Sequence, residues 1–167
     1  ITLNGTAIDT DMEQGWWVDP SLRRIPVRPG LLRPGRNRLE LSCTYSAEHP
    51  GFEILYLLGA FGVNMTNERP VLSTLPESLK LGDWTEQGLP FYSGNLEYVL
   101  EIKPDISAGE RLFVEVPGFE GVGVRVLLNE KAAGVIAWQP YELDITECVD
   151  NTPLMLRLEV LGHRRNS

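Results

Sequence analysis

Apolar and polar residues alternate with a period of two along most of this chain. Between Arg38 and Tyr45, the residues Leu39, Leu41, Cys43 and Tyr45 share one face while Arg38, Glu40, Ser42 and Thr44 share the other, the pattern of a half-buried strand. The alternation returns in Leu96, Tyr98, Leu100 and Ile102 against Glu97 and Glu101, and in Leu154, Leu156, Leu158 and Val160 against Arg157 and Glu159. Apolar runs at 112–116 and 122–128 predict further strands, and helical periodicity is nearly absent. Turn-forming residues separate these runs: Asn4-Gly5, Arg33 to Asn37, Pro104-Asp105, Pro117-Gly118 and Asp150-Asn151. Antiparallel pairing of such strands, one face inward, predicts an all-β fold: an antiparallel β-sandwich of the jelly-roll type.

An internal repeat changes the reading of the N-terminal region. Ile1-Thr2-Leu3-Asn4 resembles Val126-Leu127-Leu128-Asn129, and each is followed by small residues and then an aromatic, Trp16-Trp17 in one copy and Trp138 in the other. A strand signal comes next in each (Arg24 to Val27; Tyr141 to Thr146), then a polar turn holding Asn37 or Asn151, then an alternating strand. In the second copy the stretch from Trp84 to Gly121 precedes the repeated motif, and in the first nothing does. Residues 1–66 are therefore expected to be the back half of a first sandwich unit, with 67–167 a complete second one. In the competing layout, the N-terminal strands add to the sheets of the second unit.

Composition narrows the partners. Hydrophobic residues make up 43% and charged residues 23%, ordinary values for a chain that folds around a core. The net charge is -8 and no Lys/Arg run exceeds two residues, as at Arg23-Arg24 and Arg164-Arg165, so the basic footprint that nucleic acid requires is missing. The best apolar run, Ile54 to Val63, falls short of the roughly 20 residues that span a bilayer. No basic segment followed by an apolar one opens the sequence, so no signal peptide is read. Cys43 and Cys148 lie in apolar-patterned segments and are expected to be buried free thiols rather than a bridge.

Three stretches carry a specific resemblance: Tyr56 to Val63 (YLLGAFGV), Gly82 to Gly94 (GDWTEQGLPFYSG) and Gly134 to Thr146 (GVIAWQPYELDIT). They look like the galactose-binding-like β-sandwich modules of large bacterial glycoside hydrolases. Such modules resemble the sugar-binding domain of glycoside hydrolase family 2 and related rhamnosidase-like proteins. The resemblance implies a non-catalytic accessory domain that contacts an oligo- or polysaccharide or braces the catalytic domain of the same parent chain. A secreted or periplasmic setting is expected over a cytoplasmic one. Two departures stand out: Ala60 occupies a position where the pattern has aspartate, and the chain ends at 161–167 where relatives continue, so it reads as trimmed at both ends. A purely structural interdomain module and a polysaccharide hydrolase or lyase with its own site are the alternatives.

Sugar recognition uses flat aromatic faces beside polar groups that meet hydroxyls. Trp84, Gln87 and Tyr92 lie in one Gly- and Pro-containing segment, and Trp138 and Gln139 in another; these five are the candidate carbohydrate-binding residues, with Trp16 and Trp17 in reserve. In the bland reading Trp138 and Tyr141 plug the end of the sandwich and Trp84 anchors a loop. A glycosidase needs two carboxylates about 5 to 10 Å apart in a cleft. Asp83 and Glu86 flank Trp84, but their turn-rich setting suits solvated loop carboxylates. His49 and His163 stand far apart, no cysteine pair has ligand spacing, and no nucleophile elbow or phosphate loop occurs. No catalytic residue, cofactor or side-chain metal site is expected, although a structural calcium held by backbone carbonyls is compatible with such modules.

Overall fold

The computed structural model describes residues 1–49, 51–52, 54–66 and 69–163; the Arg164-Arg165 pair lies outside them. The chain divides into two compact units, 1–56 and 57–167. Every strand pairing is antiparallel, and the described residues contain no α-helix, only two single turns of 3-10 helix.

The first unit holds β1 (Thr2–Leu3), β2 (Thr6–Ala7), β3 (Trp16–Trp17), β4 (Asp19–Arg23) and β5 (Leu39–Glu40), arranged as a three-stranded sheet β2-β1-β5 and a hairpin β3-β4. The long strand expected from Arg38 to Tyr45 is reduced to Leu39–Glu40. Its partner β1 has only two residues, so hydrogen bonding stops after Thr2↔Glu40 and Leu3↔Leu39. Alternation alone does not make a strand where no neighbour completes the ladder: Leu39 is 48% exposed and Tyr45 73%. Among the described residues of this unit, Leu3 is the buried apolar side chain. Trp16 points outward while Trp17 packs on Tyr56, ring centres 4.9 Å apart, as expected for neighbours on opposite faces of a strand.

In the second unit β6 (Gly62–Thr66) and β7 (Arg69–Ser73) form a hairpin, and β8 (Leu96–Ile102), β9 (Phe113–Glu115), β10 (Gly123–Leu128), β11 (Lys131–Ile136), β12 (Glu142–Asp144) and β13 (Leu154–Leu161) follow. The hairpin straddles residue 66 and belongs wholly to this unit. A four-stranded sheet, β11-β10-β13-β8, packs against the two-stranded sheet β12-β9. Alternation sets its inner face: Val124, Val126 and Leu128 on β10 lie opposite Val160, Leu158 and Leu156 on β13. The core forms where these meet Val114 of β9, Ile136 and Ile145. Burying each such aliphatic side chain contributes about 1.5–3 kcal/mol, which is why the alternating segments find this register. At Gly134 on β11 an added Cβ would stand 2.8 Å from Leu143 Cδ1. The missing side chain thus lets β12 close down on the sheet.

The outer face is polar and cross-linked. Arg125 bonds Glu159 at 2.7 Å, and Arg157 reaches Glu97 at 2.9 Å and Glu130 at 2.7 Å. An extra residue, Ala133, bulges the edge strand β11 between the pairs Val126↔Gly134 and Leu127↔Ala132.

The sequence repeat has a structural counterpart. Asn4-Gly5 joins β1 to β2 with φ of 53° and 81°, and Asn129-Glu130 joins β10 to β11 with φ of 46° and 69°, the left-handed pair of a type I′ hairpin. In each copy the asparagine also clamps the third strand. The Asn4 amide donates to the Arg38 carbonyl (2.8 Å) and its Oδ1 accepts from the Arg38 amide (2.9 Å). Asn129 does the same with Met155, at 3.0 and 2.9 Å.

Both cysteines are free, but the expected burial is corrected: each is exposed. Cys148 sits in the 3-10 turn Thr146–Cys148, off the sheet, and Cys43 lies in the stretch beyond β5 that has no strand partner.

Candidate functional site

The tryptophans of the second unit have opposite environments. Trp84 is 9% exposed. It precedes the 3-10 turn Thr85–Gln87, and its carbonyl accepts from the amides of Gln87 (3.0 Å) and Leu89 (3.2 Å). Its ring meets Tyr92 edge-on with centres 6.3 Å apart, so its faces are taken up by packing. Gln87 is equally committed. Its Oε1 accepts from the Lys80 amide (2.8 Å), and its Nε2 donates to the carbonyls of Lys80 (3.1 Å) and Asp83 (3.0 Å). The Tyr92 hydroxyl donates to the Asn95 carbonyl at 2.9 Å, and the ring is 37% exposed.

Trp138 is 76% exposed and does not plug the sandwich. The half-buried Tyr141 does pack against the core, together with Phe119, ring centres 5.1 Å apart. The residues that follow Trp138 in the chain help line a shallow groove of about 480 Å³, formed by Glu115, Val116, Pro117, Gln139, Pro140, Tyr141 and Glu142. It exists because β9 and β12 pair Glu115 directly opposite Glu142, while the Val116 amide donates to the Tyr141 carbonyl at 2.9 Å. The two carboxylates have no ion pair among the described residues and flank a floor of proline and tyrosine. The groove residues Glu115, Tyr141 and Glu142 carry no sequence signal of their own, because their meeting depends on the β9–β12 pairing.

The Tyr92 and Trp138 loops lie at the same end of the four-stranded sheet but at opposite edges: one precedes β8, the other follows β11. Three inter-strand steps separate them, about 14 Å. They are thus two separate surfaces.

The other end of the β9–β12 pair holds a groove of about 620 Å³ whose linings include Glu110, Arg111, Asp144, Glu147 and Asp150. Three of its acids, Glu110, Asp144 and Asp150, serve the chain itself. Asp144 accepts from the hydroxyl and amide of Thr146 and pairs with Arg111, and Glu110 accepts from the Ser107 amide at 2.8 Å. The Thr146 hydrogen bonds, assisted by Arg111, hold the Asp144 carboxyl below its ordinary value. Thr152 does the same to Asp150, and Thr85 to Asp83. Stabilising the charged form favours a permanent acceptor over a proton donor. Asp83 and Glu86 are both exposed, and Asp83 accepts from the Thr85 amide (2.8 Å) and hydroxyl (2.7 Å). His49 Nδ1 accepts from the Gly51 amide at 2.9 Å. Among the described residues no group of three His, Cys, Asp or Glu side chains is gathered to hold a metal ion.

Fold and grooves together define an all-β protein of antiparallel sheets with shallow polar-aromatic surfaces. Among solved structures, the chain is similar to the structure of a rhamnosidase from Novosphingobium sp. PP1Y, with 22% identity and a TM-score of 0.43. The match covers 74% of this chain and 12% of that one, so the chain spans a small fraction of the solved protein's length. No protein-family model matches the chain, and no curated protein matches it.

Proposed function

We propose that this chain is a non-catalytic accessory region of a multidomain carbohydrate-active protein, with a sandwich of jelly-roll, galactose-binding-like type. In this reading it meets an oligo- or polysaccharide through the loop of Trp138 and Gln139. The observation that carries the reading is the contrast between the tryptophans. Trp138 offers an indole at 76% exposure, next in the chain to the groove residues Gln139 to Glu142, whereas Trp84 is packed at 9%. A pyranose lays its apolar C–H face on such a ring while neighbouring amide and carboxylate groups take its hydroxyls, and Gln139, Glu115 and Glu142 supply those groups. The lowered carboxyls of Asp83, Asp144 and Asp150, each held by a threonine two residues on, suit hydrogen-bond acceptance more than general acid catalysis.

A second reading, a structural module that braces a neighbouring domain, is favoured by the β6–β7 hairpin. There Met65, Val71 and Leu72 are about half exposed, which suits a surface covered by protein.

A glycan array followed by titration calorimetry, on the full chain and on Trp138→Ala, tests the choice. Saturable binding that disappears in the variant, at an unchanged melting temperature, is expected. A folded chain that binds no glycan removes the sugar-binding reading and leaves the brace.

A further inference from the structure

Strand β8 is an outer strand of the four-stranded sheet, and among the described residues its backbone is hydrogen-bonded to β13 alone. An edge strand presents unpaired N–H and C=O groups, and proteins blunt such edges with shortness, proline, lysine, bulges or inward charge. β8 has none of these. It runs seven residues, Leu96-Glu97-Tyr98-Val99-Leu100-Glu101-Ile102, in unbroken register with β13. The opposite edge, β11, is blunted by its bulge and by Lys131.

The centre of β8 is uncovered on both faces: Val99 is 46% exposed on the outer face and Leu100 44% on the inner. The two-stranded sheet covers β10 and β13, so the apolar core reaches Leu158, Val160 and Ile102 and stops short of Leu96, Tyr98 and Leu100. Hydrogen-bonding capacity and the rim of the core are thus left open along the same strand.

We propose that β8 is a homodimerisation edge, on which a second copy of this chain pairs its own β8 antiparallel across a two-fold axis, continuing the sheet to eight strands. Such an axis keeps inner faces together, so residues pair only within their own face. Charge selects the register. Centring the axis on Val99 sets Glu97 opposite Glu101 of the second copy twice, an unfavourable like-charge pairing. Centring it on Leu100 sets Glu97 opposite Lys103, which follows β8 and is exposed. It also sets Tyr98 opposite Ile102 and the two Leu100 side chains against each other. Arg157 on β13 already pairs with Glu97 at 2.9 Å, so in the dimer this carboxylate lies between Arg157 of its own sheet and Lys103 of the second copy. The contact is closed by its two-fold symmetry, so assembly ends at a dimer.

Sedimentation equilibrium on the full chain, from micromolar to millimolar concentration, tests this. The wild type is expected to be a concentration-dependent dimer. Lys103→Glu sets like charges opposite each other at two symmetric positions and should weaken dimerisation roughly tenfold. Adding Glu97→Lys to it restores the opposite-charge pairing across the axis while giving up the Arg157 ion pair, and should recover part of the lost affinity, a rescue that general destabilisation does not mimic. Leu100→Lys should abolish the dimer, and if that variant fails to fold the charge exchange decides alone. A wild type monomeric at every concentration, a larger assembly, or a dimer indifferent to the charge exchange overturns the proposal.

Discussion

Replacing Trp84 by alanine separates what holds the second unit together from what its surface offers. Among the described residues between 57 and 95, the buried apolar side chains are Val63, Trp84 and Leu89, so removing the largest leaves a small cluster that collapses only in part. Trp→Ala in a well-packed site costs about 3–5 kcal/mol. The lower end, about 3 kcal/mol, applies here because the cluster is small and loop-borne. The edge-on contact with Tyr92 supplies about 0.5–1.5 kcal/mol of that. For a cooperative unit of this size each kcal/mol lowers Tm by roughly 4–8 °C, so the drop should be at least roughly 10 °C. Trp138→Ala, at a position 76% exposed, should change stability by no more than about 0.5 kcal/mol. Urea titration followed by circular dichroism measures both. A Trp84→Ala protein as stable as wild type, or a Trp138→Ala protein equally destabilised, would refute the division between packed and offered tryptophans.

Asn129→Ala removes both the side chain that tolerates left-handed φ and the acceptor for the Met155 amide, and should cost about 1–3 kcal/mol in urea unfolding. Asp144 should make stability sensitive to acid. Its folded-state pKa lies below the ordinary 3.8, so its contribution is complete above 3.8 and fades as pH falls through the folded value. The urea midpoint of Asp144→Asn should therefore lie below that of wild type at about pH 5, and the gap should narrow as the pH falls below 3.8; a gap that stays constant as the pH is lowered would contradict this assignment.

Strands were legible in the sequence where both partners alternate. The β8 and β13 patterns identify each other's register because Leu96, Tyr98, Leu100 and Ile102 need apolar neighbours across the ladder and find Val160, Leu158, Leu156 and Leu154. The equally regular Arg38 to Tyr45 misleads, because a strand is a property of two segments and β1 meets only Leu39 and Glu40. β11 escapes notice for the opposite reason: Lys131-Ala132-Ala133-Gly134 is small and irregular, yet it pairs because the Asn129-Glu130 turn folds it back on β10. Trp84 and Trp138 look alike as loop aromatics, and only packing distinguishes them. Gln87 likewise reads as a polar group free for a ligand until its three hydrogen bonds to the loop appear.

The twin hairpins at Asn4 and Asn129 give the molecule an internal control. Both meet the same demand, two successive left-handed residues and a clamp on the returning strand, but they differ in the second residue. Gly5 adopts that geometry without a side chain to clash, whereas Glu130 holds it at a φ of 69° while its carboxylate is tethered by Arg157. The first solution depends on backbone freedom, with the Arg33 guanidinium donating to the Asn4 carbonyl at 3.2 Å. The second adds an ion pair to a charge on β13, the strand beside β10, so one turn joins a side-chain charge to the neighbouring strand where its twin offers only a backbone carbonyl to an arginine.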